Sequence, residues 1–431
     1  MKLISSLTCL LILFSGKANS QVKSSPFLED LLLTDTNSNI QQLLRKPDSF
    51  YIQIIYTKID RNEKNEPRFK NYYFNTDREL YYYPASTVKL PLAILSLEKL
   101  NRIKITGVNK YTRLQYDSSY SGQKSLYKDS SAENGYPSIA QFIRKAFLIS
   151  DNDAYNRMYE FVGQEEINRR MHEQGFPEIR IVRQFMPLNE NENRHTNPVS
   201  FLNSKNQIIY MKPAAFNKDS FNYSPVVRLG RGYLDSKDSL ILQPMNFTRQ
   251  NRIPLEDLQQ ILQRLLFPLS FPKYKRFSLK EDDYAFLYRY LSQYPSETPF
   301  PKYDTSVFFN SYVKFYFLKG GNQIPDYIRV FNKVGWAYGF LTDVSYIVDF
   351  KNKIEFMITA TVYTNADGIL NDNQYEYESV GLPFLYRVGQ DLYQYELHRG
   401  RKYRPDLRKF RLKYEQRDLM DNRPSIKEVD N

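Results

Sequence analysis

Apolar residues repeat with two different periods along this chain of 431 residues, and the order of those periods restricts the fold more than any other property. Residues 51–60 (YIQIIYTKID) read as a strand, with 69–76 as its partner across a polar turn. From Thr87 to Leu100 the period is helical, carried by Val88, Leu92, Leu95, Leu97 and Leu100. Pro91 falls near the first turn of that helix, where a missing N–H costs little. Residues 138–149, 154–161, 165–173, 255–266 and 279–291 read as further helices, and 180–198 as a loop. After a proline cluster at 295–301 the period returns to two, giving strands at 327–334, 342–350 and 353–363 before a closing helix at 386–398. Strands at both ends with helices between them predict an α+β fold of two lobes. A sheet lobe (27–85 and 325–399) is built from both termini, and a helical lobe (86–324) includes a long insertion, 199–324. Residues 400–431 read as a mobile basic tail, and a cleft between the lobes is the natural place for a site.

Residues 1–20 read as an export signal, with Lys2 at the start, an apolar core from Leu3 to Phe14 and Ala18-Asn19-Ser20 before the cut. An exported, periplasmic protein is expected. Cys9 is the single cysteine and lies inside that signal, so stability must come from a core and not from disulfides. The 42% hydrophobic content is sufficient for such a core. The formal net charge of +12 is spread along the chain, with one dense stretch from Arg399 to Arg417. No nucleic-acid motif accompanies it, so the charge predicts a solvated basic surface with at most peripheral contact with cell wall or membrane. His172, His195 and His398 are scattered without ligand spacing, no glycine-rich phosphate loop is present, and neither a metal nor a cofactor is expected.

Three short segments carry the chemistry. Ser86-Thr87-Val88-Lys89 stands at a strand-to-helix junction. There, unpaired N–H groups and the helix dipole favour a developing oxyanion, and Lys89, one turn on, reaches the Ser86 hydroxyl. Such a lysine must be neutral to act as a base, which burial beside other cations provides. Ser150-Asp151-Asn152 reads, taken alone, as the N-cap of the helix that follows. Taken with the first segment, Ser150 becomes a proton-shuttling hydroxyl and Asn152 an amide donor to substrate. Lys333-Val334-Gly335 lies on a strand. Lys333 is expected to attract a substrate carboxylate and polarise Ser150, and Gly335 to let substrate pair with the strand edge. The Trp336 N–H is expected to complete an oxyanion hole with the Ser86 N–H.

In this order and context the segments resemble the penicillin-recognising serine enzymes, and within them the class A β-lactamase-like group. The resemblance extends through PASTVKLP (84–91), the helix pair around Ser150 and KVGWAYGFLTDVSYIVD (333–349). It implies an antiparallel sheet flanked by helices and packed on an all-helical lobe, the β-lactamase/transpeptidase-like fold. It implies Ser86 as acylated nucleophile, Lys89 as its base, Ser150 as proton donor to the leaving nitrogen, and Asn152 and Lys333 as substrate-binding groups. Two departures stand out. Leu188-Asn189 matches the family's Glu-x-x-Leu-Asn loop, but the glutamate that activates the deacylating water is Phe185 here. Val334 replaces the usual hydroxyl residue after the lysine. The expected function is therefore an exported serine hydrolase acting on a β-lactam, amide or ester of small-molecule or peptidoglycan origin. The alternatives are a penicillin-binding D,D-peptidase or esterase with slow deacylation, or a non-catalytic cell-wall-peptide binding protein.

Overall fold

The computed structural model describes residues 22–120, 122–319, 324–418 and 420–429. The export signal read at 1–20 lies outside the described residues. The chain starts with two short helices that the sequence periods did not reveal, α1 (Pro26–Leu33) and α2 (Ser38–Leu44). The Asn37 side chain caps α2 by accepting from the N–H groups of Asn39 and Ile40. A hairpin of β1 (Gln53–Arg61) and β2 (Pro67–Phe74) follows, turned by Asn65 at φ 61°. The chain then runs through α3 (Lys89–Arg102), the short strand β3 (Arg113–Tyr116), and α4 (Ile139–Leu148), α5 (Asn152–Val162) and α6 (Gln164–Glu173). Within the 180–198 loop one helical turn forms, α7 (Glu190–Arg194), closed by a reciprocal Asn189–Glu192 capping box.

The insertion departs from the all-helical expectation. Its first part is a set of short hairpins: β4 (His195–Thr196), β5 (Val199–Leu202), β6 (Ile208–Lys212), β7 (Ala215–Phe216), β8 (Arg228–Leu229), β9 (Gly232–Leu234), β10 (Leu240–Ile241) and β11 (Met245–Asn246). Asn206 and Asp238 take left-handed turn positions at φ 61° and 57°, where a polar side chain substitutes for glycine. Strands of two to five residues are too short for a period to register, which is why the sequence pattern missed them. Only the second part is helical, α8 (Leu255–Leu266) and α9 (Glu281–Ser292).

The chain then returns to the sheet as β12 (Ile328–Ala337), β13 (Phe340–Asp349) and β14 (Ile354–Tyr363). A short β15 (Ile369–Leu370) and α10 (Leu382–His398) follow. The main sheet is antiparallel in the order β12-β13-β14-β1-β2, so both chain ends contribute to it. Alternate residues serve two cores. On β13, Val344, Tyr346 and Val348 face the helical lobe, while Leu341 and Ile347 face α10 and the N-terminal helices. Both faces are covered, so β13 and β14 are buried along their whole length.

The described residues of the basic tail pack against the body of the protein. Phe410 is buried among the rings of Phe267, Tyr288, Phe331 and Tyr346, at centroid distances of 4.8–5.9 Å. Arg417 donates to the carbonyls of Pro295, Thr298 and Tyr303, and Ile426 exchanges backbone bonds with Lys302 and Asp304. The dense basic stretch is likewise partly used inside the fold. Arg399 and Arg401 both pair with the buried Glu396 at the end of α10. Buried apolar surface and paired charges hold the segment down, a tertiary effect that local composition does not carry.

Candidate active site

Ser86 lies in a 3-10 turn, Ala85–Val88, that feeds α3. The Pro84 carbonyl accepts from both the Thr87 N–H (3.0 Å) and the Thr87 hydroxyl (2.6 Å), pinning the turn. Ala85 holds φ 43°, a left-handed conformation unusual for a residue with a Cβ and typical of strained functional turns. Lys89 opens α3 and is fully buried. Its Nζ donates to Ser86 Oγ at 2.7 Å and to Asn152 Oδ1 at 2.7 Å. It also contacts Ser150 Oγ at 3.3 Å and is bound by the Ser150 carbonyl.

Ser150 and Asp151 divide the second segment between chemistry and structure. Asp151 is the N-cap of α5, accepting from the Ala154 N–H at 2.7 Å. Ser150 does not cap. At φ 67° it turns its carbonyl onto Lys89 and its hydroxyl between two amines. The second amine is Lys333 Nζ, which donates to Ser150 Oγ at 2.8 Å and to the Val334 carbonyl at 2.7 Å. Ser86, Lys89, Ser150, Asn152 and Lys333, spread over 248 positions of sequence, thus form one hydrogen-bonded cluster.

Burial and mutual repulsion set the charge state of this cluster. Desolvation brings the Lys89 amine down to about 7, opposed by the field of Asp151. Desolvation likewise holds Lys333 well below the ordinary lysine range, and the Lys89 charge adds to the effect. Lys89 at neutral pH is therefore a base within reach of a serine hydroxyl. Ser150 can exchange a proton with either amine. Asn152 spends its Oδ1 on Lys89, which leaves its NH2 as a donor.

Beneath Lys333 lies a polar layer that the motifs did not point to. Lys314 donates to Asn332 Oδ1 at 2.5 Å and to the Leu291 carbonyl at 2.7 Å. Asn332 in turn donates to Asp343 at 2.9 Å, and Asp343 also accepts from the Ser345 hydroxyl and the Phe315 N–H. These groups are buried and mutually satisfied, so they fix β12 instead of facing a ligand.

Gly335 has a packing role that its sequence context did not indicate. A Cβ there would meet the Pro84 carbonyl oxygen at 2.5 Å and the Ser86 nitrogen at 3.0 Å. The missing side chain serves close packing of β12, the edge strand of the sheet, against the Ser86 turn, which brings Lys333 to Ser150. Trp336 lines the cleft, with its ring edge-on to Tyr312 at 6.1 Å.

The cluster floors a cleft of about 830 Å³. Ser86, Ser150 and Asn152 lie at its base; Tyr83, Tyr338, Tyr375 and Tyr377 contribute aromatic walls, and Gln250, Asn371 and Asn373 amides. Arg183 is on the rim, and among the described residues no Asp or Glu lines the cleft. The walls come from separate loops without motif spacing, so no sequence signal marked them. Phe185 stands 5.2 Å from Lys89 Nζ, leans on Tyr155 at 4.5 Å and is held by Asn156, which accepts from its N–H at 2.8 Å. Glu190 is paired with Arg249, and Glu192 is used in the α7 cap. Neither supplies a carboxylate to the cluster.

Residues 36–214 match the sequence profile of the Beta-lactamase enzyme family. No curated protein matches the chain. Solved structures similar to it include a beta-lactamase from Sphaerobacter thermophilus DSM 20745 (13% identity, 83% of this chain, 97% of that chain, TM-score 0.42). Another is a beta lactamase from Xanthomonas campestris pv. campestris (13% identity, 83% of this chain, 98% of that chain, TM-score 0.43). A third is a beta-lactamase from Desulfarculus baarsii DSM 2075 (13% identity, 84% of this chain, 97% of that chain, TM-score 0.43). The matched segment carries Ser86, Lys89, Ser150 and Asn152 and spans less than half of the chain.

Proposed function

We propose that the protein is an exported serine hydrolase that acylates Ser86 with an amide, ester or β-lactam of small-molecule or peptidoglycan origin. The observation that carries this reading is the 2.7 Å contact between Ser86 Oγ and a buried Lys89 held near neutrality. The neutral amine takes the Ser86 proton as Oγ bonds to the substrate carbonyl carbon. The Ser86 and Trp336 N–H groups stabilise the oxyanion. As the carbon–nitrogen bond breaks, Ser150, bonded to Lys333, passes a proton to the leaving nitrogen and is reprotonated from the lysine pair. The Asn152 NH2 holds the acyl side of the substrate. Export rests on the residues 1–20 pattern alone.

Freeing the acyl group needs an activated water. With Phe185 packed over Lys89 and, among the described residues, no carboxylate lining the cleft, Lys89 is the base at hand. Those two observations favour slow deacylation, the behaviour of a penicillin-binding D,D-peptidase, over efficient β-lactam turnover. Intact-protein mass spectrometry after incubation with a penicillin tests acylation and its lifetime together. We expect one acyl group per chain, absent in Ser86→Ala, and a chromogenic cephalosporin to give one equivalent of product and then stall. Labelling that persists in Ser86→Ala rejects the nucleophile. A wild type that takes up no acyl group from any reactive probe, yet binds peptidoglycan fragments, makes the protein a binding module. Steady cephalosporin turnover overturns slow deacylation only.

A further inference from the structure

Three cationic side chains lie in or beneath the cleft, and among the described residues Arg183 is the only cation that lines it. Both hydrogen bonds of Lys333 go inward, to Ser150 Oγ and to its own strand's Val334 carbonyl. Lys89 is enclosed by Ser86, Ser150 and Asn152. Burial holds both amines below the ordinary lysine range. Val334, next to Lys333, has no hydroxyl to offer a ligand.

Arg183 differs on each point. A guanidinium keeps its charge throughout the physiological range. Arg183 lines the cleft and is half-buried, and its Nη2 donates to the Leu188 carbonyl at 2.6 Å, which fixes the plane of the fork. Among the described residues no carboxylate pairs with it, and none lines the cleft. Tyr83 and Tyr338 line the same cleft. The two rings meet edge to face at 4.9 Å, and Phe247 backs both. The result is a planar cation and an aromatic wall lining one cleft, the cation on the loop that also carries Phe185.

We infer that Arg183 is the specificity-determining anchor of the cleft and holds the carboxylate of an anionic substrate, a task that Lys333 on β12 does not perform. The inference rests on the proposed function only for the word substrate. The recognition itself is a binding property of the cleft. The fork can offer parallel N–H donors to a planar carboxylate, and the Tyr83–Tyr338 wall selects molecules whose carboxylate adjoins an apolar or planar group.

The test uses the Ser86→Ala protein, which cannot be acylated at that residue, with benzylpenicillin and its uncharged methyl ester titrated calorimetrically. The free acid should bind about tenfold or more tightly than the ester, the scale of a charge-assisted hydrogen-bond pair. Adding Arg183→Gln should abolish that preference while leaving ester affinity unchanged. Arg183→Lys, which keeps the charge without the fork, should retain part of it. Adding Lys333→Met should leave the preference in place. Equal affinity for acid and ester, no binding of either, or a preference that survives Arg183→Gln overturns the inference. A loss of ester affinity in both Arg183 variants also overturns it, because the residue would then only support the loop. An uncharged fluorophosphonate applied to the wild type reads Ser86 chemistry separately. Failure of that label with an intact acid preference removes the hydrolase and leaves the anchor standing.

Discussion

A buried lysine whose hydrogen-bond partners are all neutral is a cost to the fold, and Lys89 is such a lysine. Its amine falls from the ordinary value of 10.5 to about 7. The unfolded chain therefore binds one more proton than the folded chain between those two pH values, and stability rises with pH across that window. Below about 7 both states are protonated and the penalty is fully present. Lys89→Met should raise the melting temperature at pH 7, and its advantage over wild type should shrink as pH approaches 10. The same substitution should slow acylation by about 10²- to 10⁴-fold, the usual contribution of a general base. In the wild type, stopped-flow acylation should rise with pH to half its plateau near 7; a flat profile from pH 5 to 9 would remove Lys89 as the base. This much of the site was legible in the sequence, because Ser-x-x-Lys at a strand-to-helix junction fixes two side chains on one helical turn. Arg183 and the tyrosine walls were not, because nothing local to residue 183 says which strand lies opposite.

At the scale of the element, the site depends on how closely β12 lies on the turn before α3. The contact is made at Gly335, where a Cβ would meet backbone and not a yielding side-chain tip. Gly335→Ala should displace β12, take Lys333 off Ser150 and slow Ser86 labelling by about tenfold or more, since small misplacements cost that much. Its melting temperature should fall as well. An unchanged labelling rate would show that the approach is not needed. The three long strands were legible within a few residues because ten-residue runs declare their period. The closing helix begins at Leu382 instead of Tyr386, since Pro383 sits in its first turn, where proline is tolerated. The hairpins of the insertion give no period at all. Their existence depends on turn residues and on partners far away in the chain.

At the scale of the molecule, the segment after Gly400 joins the two lobes. Phe410 places one ring between Phe267, just past α8, and Tyr288 of α9 on one side and β12 and β13 residues on the other. Phe410→Ala should cost about 3–5 kcal/mol in denaturant unfolding, the range for a buried phenylalanine. A loss under about 1 kcal/mol would mean that the segment is only laid against the body, the surface-residue range. Nothing in its composition announced this, because charge and proline content describe the segment and not the groove that receives it.

One small pairing ties the insertion to the rest of the cleft. β9 runs parallel to β15 through Gly232–Ile369 and Tyr233–Leu370, extended by the Arg231 N–H on the Gly368 carbonyl at 2.8 Å. Gly230 approaches the same carbonyl so closely that a Cβ would lie 2.7 Å from it. The segment beyond β15 supplies Asn371, Asn373, Tyr375 and Tyr377 to the pocket wall. The insertion and the 365–377 loop are thus one inheritable unit split across the gene. A graft that exchanges either half alone carries a seam that no longer fits, so preferences encoded in this wall can be transplanted only as a matched pair.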